Sequence, residues 1–177
     1  MLHLIVGLIF IFVVFRFVLP LKISFKGKIA ITLLLLVFSQ QHLVNRLFFG
    51  TLASPELPAV VLAVQGGMFS TFLLLAVFVL LRDLIALITR LAYKPVTPFS
   101  TSGFLASGIF MIAAVLSGVG VTQAIRVPDV RSVEIPLKDL PLALDGFRIA
   151  QVTDIHASSL LREEWVRAVV DKTNTLK

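Results

Sequence analysis

Four stretches of this sequence, residues 2–19, 29–49, 57–81 and 102–121, stay apolar over lengths close to the thickness of a bilayer core. At about 1.5 Å per helical residue, some 18–25 residues reach roughly 27–38 Å, against about 30 Å of hydrocarbon. Backbone in lipid must satisfy its own hydrogen bonds, so each stretch is expected to be a membrane-spanning helix. The composition agrees. Hydrophobic residues make up 58% of the 177, mean hydropathy is +1.00, and only 15% are charged, where a soluble domain carries about 25%. Such a balance excludes a disordered chain, and the lack of cysteine excludes a disulfide scaffold.

The four stretches differ in quality. The first is broken only by His3 and Arg16. A cleaved signal peptide fits it poorly: no basic segment precedes it, Arg16 interrupts its apolar run, and no small-x-small site comes before Pro20. The second is purely apolar only from Ile29 to Phe38 and must continue through Ser39, Gln40, Gln41, His42, Asn45 and Arg46 to span. This polar set has two readings. It lines a polar cavity or meets a headgroup between helices, or it is the outer end of a helix at the interface, with Arg46 snorkelling. The third stretch contains Gln65, Gly66 and Gly67. The fourth places Ala114 four residues before Gly118, and Ala113 four before Ser117. Small residues at that spacing allow close helix approach.

Charge divides the chain in two. Before Arg126 there are eight Lys or Arg and two acids, Glu56 and Asp83; from Arg126 onward there are eight of each sign. The whole net charge of +6 therefore lies in the apolar part. These cations flank apolar runs, so they point to a lipid bilayer as partner and not to nucleic acid. Lys22, Lys26 and Lys28 lie in the first loop with Arg16 at its edge, and Arg82, Arg90 and Lys94 surround the third. Loops one and three are expected on the cytoplasmic side, and both termini on the other. In a Gram-negative cell this is a multi-pass inner-membrane protein with a periplasmic tail. The expected division is a four-helix membrane domain, residues 1–125, followed by a tail, 126–177.

The tail alternates Val133, Ile135 and Leu137 with Ser132, Glu134 and Pro136, the period of a strand. Pro141, Asp145 and Gly146 mark residues 140–146 as a turn, and 147–153 is a second, mostly apolar strand expectation. A polar loop, 154–159, precedes an expected helix over 161–176. There Glu163 and Glu164 suit the helix start, and Trp165, Val166, Val169, Val170 and Thr173 share one face. Ser158 or Ser159 is a candidate cap. Strand, loop and helix in this order are the opening of an α/β unit. Such units bind ligands at the carboxyl ends of strands, where Asp154 and His156 stand. Carboxylate plus imidazole suits Zn, Mn or Fe. The bland alternative is a pair of solvated loop residues.

The stretch Leu144-Asp145-Gly146-Phe147-Arg148-Ile149-Ala150-Gln151-Val152-Thr153-Asp154-Ile155-His156 resembles the opening of a calcineurin-like metallophosphoesterase domain: a Gly, a hydrophobic strand, then Asp-x-His. The spans before it look like the membrane-anchored bacterial branch. The resemblance implies a β-β-α start of an α/β domain, a hydrolase, and two divalent ions (Mn, Zn or Fe) per complete site. It makes Asp154 and His156 ligands of the first ion. The implied substrate is a phosphomonoester, phosphodiester or pyrophosphate, with a lipid phosphate or a UDP-diacylglucosamine type among them. The family's Gly-Asp-x-x-Asp and Gly-Asn-His-Asp/Glu segments and later His motifs do not occur before Lys177. The expectation is thus a truncated chain, with two ligands and little hydrolysis of its own. The alternative is a non-enzymatic four-helix membrane anchor or interaction module. A small transporter is a third reading; against it stand a single polar helix, no visible inverted repeat and no acidic residue within a span.

Overall fold

A computed structural model describes residues 2–51, 55–92 and 103–176 of the chain. Helix α1, Leu2–Val13, is apolar but for His3 and runs into a π-helical turn, Val14–Val18. There the Leu19 N–H donates to the Val14 carbonyl at 3.0 Å. The wider turn buries Phe17 and Val18 while the Arg16 side chain stays 55% exposed. Helix α2, Phe25–Phe49, starts earlier than the apolar run because Ser24 caps it, its hydroxyl accepting from the Gly27 N–H at 3.2 Å. It ends at Gly50, whose φ of 69° gives the left-handed cap that glycine adopts freely. Helix α3, Ala59–Ala92, outruns its apolar stretch by more than two turns, carrying Arg82, Asp83 and Arg90 on a helical extension. Helix α4 is Gly103–Ile125, and α5, in the tail, is Glu163–Asn174.

Helices α2, α3 and α4 are long and apolar enough to cross a membrane; the first, Leu2–Val18, is apolar but shorter. The four-span expectation is corrected to three candidate spans and this shorter helix. Lys94 lies outside the described residues, as does Ser102. Helix α3 is the hub, packing on α1, α2 and α4. Its Phe72, Leu75 and Val79 are wholly buried against Val6 and Val13 of α1, Leu35 of α2, and Ala106 and Ala113 of α4. Of the two small-residue pairs in α4, Ala113 and Ser117 face α3, and Gly118 lies exposed. Ser117 donates to the Gly67 carbonyl at 2.7 Å and meets the Ser70 hydroxyl, so the seam is closed by hydrogen bonds as well as by close packing. Outward-facing Leu33, Leu34, Val37, Leu47 and Phe48 give α2 an apolar outer side, as expected of a helix in lipid.

The tail departs from the sequence expectation. Among the described residues there is no strand, so the β-β-α start of an α/β domain is not the fold of this chain. Val133, Ile135, Phe147 and Ile149 are between 73% and 83% exposed. Period-two alternation encodes extended backbone with an apolar side. It becomes a strand only when a neighbouring backbone completes the ladder, and none of the described segments does so. The turn expected at 140–146 is found, as a 3-10 turn at Leu142–Leu144 followed by Gly146 at φ 77°. Helix α5 is present but shorter than expected. Its first residue follows Arg162, and the Ser158 hydroxyl instead accepts from the Leu161 N–H of the turn before it, at 3.2 Å.

Candidate functional site

The inward stripe of α2 is polar at its far end. Ser39, His42 and Asn45, spaced three apart, follow Leu35 down the same buried face. Ser39 satisfies itself by donating to the Leu36 carbonyl at 3.0 Å. Asn45 meets Gln65 of α3 in a reciprocal amide pair, each amide donating to the other at 3.4 Å. That separation is at the long end for a hydrogen bond, so both amides keep bonding capacity in reserve. His42 is 7% exposed, and neither of its ring nitrogens has a hydrogen-bond partner. Its ring stacks on His3 of α1, centroids 6.4 Å apart, and Phe69 of α3 closes edge-on at 6.1 Å. An unpaired buried polar group costs about 1–3 kcal/mol, so this end of the bundle is not arranged for stability alone.

The tail reaches the same end. Arg162 donates to the Leu57 carbonyl, just before α3, at 2.7 Å and to the Ser159 carbonyl at 2.9 Å. Lys172 of α5 donates to the Pro128 carbonyl at 2.8 Å. These contacts lay the loop from His156 to Leu160 over the polar end of α2 and α3. A cavity of about 490 Å³ lies between them, lined by Gln41, His42, Asn45 and Gln65 from the helices and by His156 and Ser158 from the tail. Of the polar set, Gln41, His42 and Asn45 line this cavity, while Arg46 is exposed. The His3–His42 stack and the tail contacts also place the N-terminal end of α1 and the tail at one end of the bundle. Arg16, Lys28, Arg82 and Asp83 occupy the other, where Lys28 donates to the Leu19 carbonyl at 2.5 Å and Arg82 to the Arg16 carbonyl at 2.8 Å.

Asp154 and His156 approach to 4.0 Å between Oδ1 and Nε2. They do so by a different route from the alternation of a strand. Both residues hold left-handed backbone, φ 55° and 43°, a conformation that Asp and His visit more readily than most side chains at about 1–2 kcal/mol each. Two donors about 2.0–2.2 Å from one ion at the tetrahedral angle stand roughly 3.3–3.6 Å apart, so the pair would have to close by about 0.5 Å to share an ion. Both side chains are more than four-fifths exposed. Among the described residues no group of three or more His, Asp or Glu side chains gathers as a metal ion would require. Asp154 and His156 are thus exposed near neighbours, and sequence reasoning gave no hint that His156 would also edge a cavity in the membrane helices.

Among curated proteins, a "Transmembrane protein with metallophosphoesterase domain" from Danio rerio is 35% identical to this chain over 66 residues, 37% of this chain and 15% of that protein. The chain thus spans a small part of the length of the relative it matches. No protein-family model matches the chain, and no solved structure matches it. The similarity links a helical, membrane-type chain to a protein that combines both features in its description, and it supports a metallophosphoesterase relationship at most.

Proposed function

We propose that this chain is part of a membrane-embedded, metal-dependent phosphoesterase, with Asp154 and His156 contributing to its ion site and the tail on the outer side of the membrane. The observation that carries the reading is the 4.0 Å approach of Asp154 Oδ1 to His156 Nε2, held by two left-handed residues in a loop. Backbone held in such a conformation is a common companion of functional loops. The partial likeness to a metallophosphoesterase-domain protein supports it. A divalent ion of the Mn, Zn or Fe type, when bound, would stabilise charge on a phosphoryl group and lower the pKa of a bound water. Within the chain, Asp154 would offer a carboxylate oxygen, and His156 would offer the imidazole edge nearest to it. Arg162 would hold the loop against the membrane helices, so that the substrate class is a lipid phosphate or phosphodiester presented at the bilayer surface.

The test is titration of the detergent-solubilised chain with Mn²⁺ and Zn²⁺ by calorimetry. Binding is expected, and Asp154→Ala and His156→Ala should each weaken it at least tenfold. Binding that is absent, or unchanged in both variants, overturns the metal role. Phosphate or nitrophenol release from a generic diester, dependent on added metal and lost in Asp154→Ala, would extend the result from binding to hydrolysis.

A further inference from the structure

The cavity at the junction of α2, α3 and the tail has chemistry of its own. Its polar lining is made of two carboxamides in a long pair, Asn45 and Gln65, a third carboxamide, Gln41, the imidazole of His42, and the tail's Ser158 and His156. No Lys, Arg, Asp or Glu is among the lining residues. His42 is more than nine-tenths buried and its ring lines this cavity, while its two ring nitrogens, without a hydrogen-bond partner, lie beneath the lining and reach the cavity only if the ring turns. A neutral imidazole offers one donor and one acceptor, and a carboxamide offers both. A lining that both donates and accepts, without formal charge, matches a hydroxyl, which also does both. A phosphate would call for a cation, and an ion would call for a third ligand that is not among the described residues. The volume of about 490 Å³ falls within the range of roughly 300–1,000 Å³ typical of small-molecule sites. Leu62 and Leu160 supply apolar walls, suited to the C–H faces of a sugar ring or a glycerol backbone.

We propose that this cavity binds an uncharged polyol group, with the Asn45–Gln65 pair and, once its ring turns toward the cavity, His42 hydrogen-bonding its hydroxyls, and the loop from His156 to Leu160 covering it. Its polar floor comes from the membrane helices, and His156 at its edge is shared with the ion site of the proposed function. Two sources carry the same chemistry: the headgroup of a membrane lipid and a free sugar or cyclitol.

The experiment uses the full chain in phosphatidylcholine nanodiscs. One arm measures binding of free myo-inositol and glucose by saturation-transfer NMR. The other measures retention of phosphatidylinositol against phosphatidylcholine by native mass spectrometry. The expected result is binding in at least one arm, reduced tenfold or more in both His42→Phe and Gln65→Leu and unchanged by EDTA. His42→Phe keeps the ring's bulk and removes the unpartnered nitrogens, so its melting temperature should equal or exceed that of the parent chain, and loss of binding then reports the site and not misfolding. Gln65→Leu removes the pairing amide from the other helix as an independent check. Retention of phosphatidylinositol without binding of the free polyols identifies a lipid headgroup; binding of the free polyols identifies a soluble ligand. Absence of binding in both arms overturns the proposal. So does binding that survives His42→Phe and Gln65→Leu, or binding lost on adding EDTA, which would assign it to the ion site. Failure of metal titration with polyol binding intact would overturn the phosphoesterase reading alone.

Discussion

Asp83 of α3 accepts a hydrogen bond from Arg16 at 2.6 Å, joining the π-helical turn after α1 to the polar extension of α3 across 67 positions of sequence. Asp83 also binds Arg82 at 2.8 Å, and Arg82 in turn donates to the Arg16 carbonyl. One carboxylate thus ties together two cations and one helix end. The Arg16 side chain is 55% exposed and that of Asp83 only 18%, so the two partners should respond unequally. Asp83→Asn is expected to lower stability by about 1 kcal/mol, Arg16→Gln by less than about 0.5 kcal/mol, with a coupling near 0.5 kcal/mol in the double variant. Denaturation of the purified chain in mixed micelles measures all three. A loss for Arg16→Gln as large as that for Asp83→Asn would show that Arg82 contributes little.

At the other close contact of α3, Ser117 should distinguish hydrogen bonding from packing. Ser117→Ala removes the bond to the Gly67 carbonyl and is expected to cost about 0.6 kcal/mol, the usual worth of a side-chain hydrogen bond between membrane helices. Ser117→Leu must push apart a seam in which Ser117 is 3% exposed, and overpacking of this kind costs about 1–3 kcal/mol. The same micelle assay compares them. Equal effects would mean that the seam is looser than its burial implies.

The helices were legible because apolar runs of bilayer length have few other solutions, but the start of α2 was not, because the Ser24 cap draws residues ahead of the apolar run into the helix. Nor was the length of α3. Its last turns hold Arg82, Asp83 and Arg90, which end an apolar run without ending a helix. The partner of Asp83 was hidden for a related reason. A list of polar residues does not say which helix faces meet, although an acid and Arg16, each nearly alone among apolar residues, offered a hint. Val133, Ile135 and Leu137 misled because alternation prescribes an extended shape and an apolar side without supplying the neighbour that makes a strand. The burial of His42 and its place beside a cavity follow from which helix faces meet, which the sequence alone does not state. The involvement of His156 there depends on Arg162 holding the tail, a contact between residues 105 positions apart.

The end-to-end arrangement of the bundle predicts its topology. Lys22 follows the first helix at the Arg16–Asp83 end, and Lys138 lies in the tail at the His3–His42 end; both are exposed. The chain has no cysteine, so Lys22→Cys and Lys138→Cys each create a unique label site. In sealed vesicles, a membrane-impermeant maleimide applied from one side should label one variant and spare the other. The basic residues flanking loops one and three assign position 22 to the cytoplasmic side and position 138 to the outer side. Labelling of both variants from the same side would overturn the crossing of the bundle.

The loop that covers the polar cavity is held mainly by one side chain, and this makes its stability measurable. Arg162 reaches the Leu57 carbonyl at 2.7 Å and the Ser159 carbonyl at 2.9 Å, so it anchors the loop both to the start of α3 and to itself. Hydrogen bonds from a charged donor are worth about 1.5–3 kcal/mol when buried, but Arg162 is exposed, and about 1 kcal/mol is the fitting magnitude. Arg162→Ala should therefore open the loop roughly fivefold more often and raise amide hydrogen exchange over residues 156–162 by the same factor, while exchange within α2 and α3 stays unchanged. Arg162→Lys keeps the charge but lacks the planar fork that serves both carbonyls, so it should recover only part of the protection. Exchange that rises in neither variant would mean that Lys172 and the packing of Val169 fix the tail without Arg162, and the cover over His42 would then be set by α5.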